Sequence, residues 1–233
     1  MCSANSEVIS EVKEEIKTQE PLNVGSYFPA MIYTIEKPEF LINVKAVANE
    51  ALKKIRDEKP KLNSIYPVRM TGNLWDDPRM SDFCQFTAST AWNILDSQGY
   101  NMSLFNTTFT ELWCQEHHKH SAMDQHAHGG GVQLVGFYFL DTPKNSARPV
   151  IHDPRHGKEM INLPEKDTSQ ATPASNMINF EPKEGLLIFA PAWLQHSFTR
   201  HASSKPSKFI HFNISVIPAP QTVCVTTPPA EVV

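Results

Sequence analysis

The chain has 233 residues, within the range of one domain with a sizeable core, and no Gly/Ser-rich linker or internal repeat divides it. Its 21 Lys and Arg against 25 Asp and Glu give a formal charge of -4, which argues against a phosphate-tracking nucleic-acid surface but leaves room for a local basic pocket. Four scattered cysteines without a CxxC pair argue against a zinc knuckle and a disulfide framework. No apolar run approaches the roughly 20 residues of a membrane span, and the first twenty residues lack the apolar core of a secretory signal. The expectation is a soluble cytoplasmic protein with no nucleic-acid or membrane partner.

In chain order, residues 1–24 read as a polar, loosely held leader. Residues 26–38 (SYFPAMIYTIEKP) predict a strand ending at Pro38. From there Phe40, Leu41, Val44, Val47, Ala48, Ala51, Leu52 and Ile55 recur at three- and four-residue steps, the pattern of an amphipathic helix. A second helix follows from Phe83, Phe86, Ala91, Trp92, Ile94 and Leu95; it closes at Gly99, with Ser81 or Asp82 as its cap. Beyond Gly99 come short segments rich in aromatic and β-branched residues, at 106–114, 132–140, 148–152, 185–191 and 208–216, separated by Pro, Gly and Asn. With no convincing helix between them, these predict an all-β sandwich or barrel carrying the two helices on its outside. Residues 217–233, with four prolines, read as an extended tail, leaving 25–216 as the folded domain.

Seven of the ten histidines fall between His117 and His156. Imidazole is neutral near pH 7 and ligates iron, zinc, copper and nickel. In an extended segment, residues two apart point the same way, so His126 and His128 can face one ion. The Gly129-Gly130-Gly131 run then lets the chain turn into the strand from Val132. His196, at the end of the strand GLLIFAP, is the best-placed third ligand. One close pair plus one distant histidine builds a facial site with open positions, the arrangement of a catalytic rather than a structural metal. Asp124 and Asp153 are the nearby carboxylates, as ligands or as supports for a ligating ring. His117, His118 and His120 read as a solvated loop or pocket rim, and His211 as a packed or hydrogen-bonded strand residue. Phe137, Phe139, Phe189 and Trp193 are candidates to shield the centre.

Four stretches carry a resemblance: YFPAMIYTIE; HAHGGG followed by LVGFYFLDTP; VIHDPR; and GLLIFAPAWLQHSF with KFIHFNISV. Residues 27–216 resemble the 2-oxoglutarate/Fe(II)-dependent oxygenases of the double-stranded β-helix type, nearest to a group of small, largely uncharacterised members from marine microbial and viral sequence. The resemblance implies a mainly β fold, a double-stranded β-helix (jelly roll) with flanking N-terminal helices. It implies Fe(II), 2-oxoglutarate and dioxygen as cofactors and co-substrates, with His126 the first metal histidine and His196 the distal one. His128 stands where better-known relatives have a carboxylate. The family also needs a cation to grip the far carboxylate of 2-oxoglutarate; Lys208 is the candidate, with Arg155 and Arg200 as alternatives. The implied activity is hydroxylation of a small molecule or of a prolyl or other side chain of a peptide or protein, by a monomer or homodimer. Two rival readings remain: a cupin-like three-histidine dioxygenase that uses no 2-oxo acid, and a non-enzymatic jelly-roll module.

Overall fold

The structure, a computed structural model, describes Asn23 and residues 25–220. All of the leader predicted at 1–24 except Asn23, and most of the tail predicted at 217–233, lie outside those residues. The compact unit that begins at Met31 carries every element named below.

β1 (Tyr33–Glu36), α1 (Leu41–Glu58), β2 (Val68–Met70) and α2 (Ser81–Ser97) precede the barrel strands. These are β3 (Phe105–His117), β4 (Met123–His126), β5 (Val132–Asp141), β6 (Pro149–His152), β7 (Met177–Asn179), β8 (Leu186–Pro191), β9 (His196–Phe198) and β10 (Ser207–Pro218). They form a six-stranded sheet, β1-β8-β5-β10-β3-β2, and a four-stranded sheet, β4-β9-β6-β7. All pairings are antiparallel. From β3 to β10 the chain passes back and forth between the two sheets, with only the β6–β7 hairpin staying within one, which is the winding of a double-stranded β-helix.

Two apolar layers hold this arrangement. On the outer face of the larger sheet, α1 presents Val44, Val47, Ala48 and Leu52, and α2 presents Phe83, Ala91, Ile94 and Leu95. They pack on Leu134, Tyr138, Leu140, Ile210 and Phe212. Between the sheets lie Phe137, Phe139, Phe198 and Phe209, with Val135, Ile151 and Ala190 beside them. β5 is therefore buried on both faces, which explains its unbroken apolar run VGFYFL. At Gly136 a Cβ would stand 2.0 Å from the Phe212 ring, so only glycine lets β5 and that ring pack this closely.

The structure departs from the predicted elements at several points. Only Tyr33–Glu36 of the first predicted strand pairs, because its partner β8 offers four ladder positions there and Pro38 opens a 3₁₀ turn. Neither Ser81 nor Asp82 caps α2: the helix grows out of a turn begun at Pro78, and Asp77 caps that turn by accepting from the Arg79 amide. β10 runs to Pro218 against Phe105, past the predicted start of the tail.

Candidate metal centre

β4 and β9 are antiparallel neighbours, and their register sets His126 directly opposite His196. The two rings lie 4.5 Å apart between centroids. His128 stands just beyond β4, anchored by a 2.8 Å bond from its amide to the Ala192 carbonyl. Its ring is 5.2 Å from that of His126 and 5.3 Å from that of His196. The glycines after it are required: Gly130 and Gly131 have φ of 65° and 89°, a region that side chains with a Cβ seldom adopt.

Hydrogen bonding fixes which nitrogen each ring offers. His126 Nδ1 meets the Asp124 carbonyl at 2.8 Å, and His196 Nδ1 meets the Leu194 carbonyl at 3.1 Å. A carbonyl can only accept, so each Nδ1 carries the proton and each Nε2 presents its lone pair. His196 is 1% exposed and its Nε2 has no partner; the buried Nε2 of His128 has none either. One ligand atom from each of His126, His128 and His196 falls within 4.8 Å of the others. Burial holds the His196 ring down to about 4, opposed in part by the Leu194 bond and reinforced by the neighbouring histidines. Burial, with His126 nearby, lowers His128 as well. Both rings are therefore neutral near pH 7, the state in which imidazole ligates. Three converging imidazoles, two of them with buried unpartnered Nε2 atoms, fit one divalent cation.

The opposite wall brings in residues that the sequence reading did not assign to the site. β10 sets His211 beside Trp113 of β3 and Phe137 of β5, and it sets Asn213 opposite Glu111. His211 is 3% exposed; its ring lies 5.3 Å from that of His128, and its Nδ1 has no partner. Trp113 Nε1 and Asn213 Oδ1 are likewise buried without partners. The signal available in the sequence was alternation: Glu111, Trp113, Gln115 and His117, like His211 and Asn213, share one strand face.

The other predicted residues lie elsewhere. Asp124 is exposed, and it supports His126 through its carbonyl rather than its carboxylate. Asp153 is occupied by Arg155 at 2.8 Å and Lys158 at 3.1 Å, which hold its carboxyl below the usual range. It caps a turn, and Arg155 is consumed in the same contact and in a bond to the Pro173 carbonyl. Arg200 is exposed. Lys208 points to the helix side of the larger sheet, where its ammonium bonds Asp141 at 2.9 Å and Asn49 of α1 at 2.9 Å. The reason is the two-residue period of β10, which turns Phe209 and His211 inward and Lys208 outward. Phe189 also faces the helices, in contact with Phe212, and Trp193 is 56% exposed. Phe137 does cover the centre, edge-on to His196 at 5.5 Å.

Residues 111–213 match a family model described as "Putative 2OG-Fe(II) oxygenase", a stretch that contains both walls of the site. No curated protein matches the sequence. Among solved structures, the chain is similar to SnoK, described as a non-heme alpha ketoglutarate dependent carbocyclase from nogalamycin biosynthesis. The TM-score is 0.58 at 10% identity, covering 83% of this chain and 84% of that one. It is similar to HygX from Streptomyces hygroscopicus, solved with nickel and 2-oxoglutarate bound (TM-score 0.55, 11% identity, 80% of this chain and 83% of that one). It is also similar to the viral collagen prolyl hydroxylase vCPH from Paramecium Bursaria Chlorella virus-1 (TM-score 0.52, 14% identity, 80% and 96%). The chain thus shares the double-stranded β-helix fold of these structures.

Proposed function

We propose that the protein is an Fe(II)- and 2-oxoglutarate-dependent oxygenase whose iron is held by His126, His128 and His196. The observation that carries this reading is the convergence of one ligand atom from each of three imidazoles to within 4.8 Å of one another, with the buried Nε2 atoms of His128 and His196 lacking any partner. Iron in such a site supplies open positions for dioxygen and a 2-oxo acid, coupling loss of carbon dioxide from that acid to oxidation of a substrate.

The chain's own contribution is positional. The Asp124 and Leu194 carbonyls hold the His126 and His196 rings in one tautomer and orientation. Phe137 and the phenylalanines below it keep water from the inner side of the centre. In this reading residues 25–216 are the catalytic domain, acting as a monomer or homodimer on a small molecule or on a prolyl or other side chain of a peptide. Among the described residues, no helix is long and apolar enough to cross a membrane. Cys84 and Cys114 are free thiols, which suits a reducing cytoplasm.

One observation favours a second reading, a three-histidine dioxygenase that uses no 2-oxo acid. Lys208 is the one Lys or Arg in strands β3 to β10, and it points away from the histidines. A cation for the far carboxylate must then come from outside these strands. The deciding experiment is anaerobic loading with Fe(II), then measurement of oxygen uptake and succinate with and without 2-oxoglutarate. Succinate that appears with 2-oxoglutarate and disappears in His196→Ala is the expected result. Oxygen uptake at an unchanged rate without the acid supports the second reading, and full turnover by His196→Ala defeats both.

A further inference from the structure

The three-histidine cluster accounts for only part of the unsatisfied chemistry in this region. A second set of ligand atoms, from Glu111, His128 and His211, also lies within 4.8 Å. It shares one residue with the first set and takes its other two from the opposite sheet. We propose that Glu111, His128 and His211 form a second divalent-cation position, alternative to the first and reached from the solvent side.

Three features of the fold build it. β10 and β3 set Asn213 opposite Glu111, and the Asn213 amide donates to the Glu111 carboxylate. That bond orients the Glu111 carboxylate and leaves its other oxygen available. The register between these strands shifts just past Asn213, where Ile214 pairs with Phe109 and Thr110 is left over. A bulge of this kind re-aims the side chains beside it. His211, one strand position pair away, is almost wholly buried with a bare Nδ1, and Trp113 Nε1 beside it is bare as well. A buried ring nitrogen left unsatisfied costs stability unless something binds it, and Glu111 brings a carboxylate oxygen within 4.8 Å of a His211 nitrogen.

The ligand chemistry differs from that of the first position. Two imidazoles and one carboxylate place a negative charge in the shell, which suits harder divalent ions such as Fe(II), Mn(II) and Co(II). A cavity of about 420 Å³, lined by Glu111, His128, Gly129, Gly130 and Asn213 among others, opens on this side. A cation arriving through it meets Glu111 before His196. His128 can donate a given lone pair to one ion only, so the two positions exchange a single cation rather than hold a pair. The inference rests on the metal centre proposed above and extends it.

The test is Co(II) titration by calorimetry and visible absorption, with folding checked by circular dichroism. Wild type should bind one Co(II). The double variant His126→Ala/His196→Ala should still bind one, with a changed spectrum because a carboxylate oxygen replaces nitrogen. Adding Glu111→Gln to that variant should weaken binding by about 100-fold or more, beyond what loss of a supporting contact gives. A folded double variant that binds no Co(II), or one whose affinity ignores Glu111→Gln, overturns the proposal. If the double variant does not fold, the single variants decide: a spectral component lost in Glu111→Gln and kept in His126→Ala supports it, and identical spectra for wild type and Glu111→Gln sink it. Wild type binding no cation at all would instead remove the iron reading itself.

Discussion

The space between the two sheets holds buried histidines at both ends, and they are in opposite states. At one end His117, fully buried, is fully satisfied. Its Nε2 donates to Gln115 Oε1 at 3.0 Å, its Nδ1 accepts from Ser121 Oγ at 3.1 Å, and its ring lies 5.2 Å from Phe209. At the other end His196 is equally buried, yet its Nε2 faces His126 and His128 with nothing to bond. Burial and residue type are the same; the difference is whether the second nitrogen has a partner. A buried histidine with both nitrogens bonded is a packing element, and one with a bare lone pair aimed at two others is a ligand.

That contrast can be broken by mutation. The largest effect should come from His196→Ala, which removes a ligand of the three-histidine centre and should abolish turnover in oxygen-uptake measurements, any cation binding left in calorimetry coming from the Glu111 position. His117→Ala should do the reverse: a loss of about 3 kcal/mol of stability in urea denaturation, from a cavity and two orphaned partners, with cation affinity retained in the folded fraction. Equal effects of both variants on cation binding would erase the distinction between the two ends.

Acid sharpens the same comparison. Burial, aided by His201 and His118, holds His117 at about 3 in the folded protein, against an ordinary 6.5. The unfolded chain therefore takes up the proton first, and this contribution to stability is intact above about pH 6.5 and lost as pH falls from 6.5 toward 3, at up to about 1.4 kcal/mol per unit. Thermal denaturation followed from pH 7 to pH 4 should show this loss, and His117→Phe should reduce its slope. An unchanged slope would mean that His117 does not carry it.

The smallest effect is expected at Lys208. Lys208→Ala removes partly buried contacts to Asp141 and Asn49 on the helix side. It should cost about 1 kcal/mol or less and leave affinity for 2-oxoglutarate within twofold, read by competition for the Fe(II)-bound site. A large loss of 2-oxoglutarate affinity would mean that the side chain turns inward when the acid binds.

Much of the fold was legible because its causes are local. The helical spacing from Phe40 to Ile55 and the apolar runs of β5, β8 and β10 each name their element without reference to the rest of the chain. The short strands β2, β7 and β9 were not legible: three residues carry too little periodicity, and only pairing with a longer neighbour makes them strands. The sequence by itself determined the pair His126 and His128, two residues apart before a glycine turn, and pointed to His196 at the end of a strand. Tertiary structure alone decided the rest. Strand alternation says that Glu111 and Trp113 share a face, and that His211 and Asn213 do, but not which face looks into the barrel. The register of β10 between β3 and β5 made that choice, turning His211 toward the metal centre and Lys208 away from it.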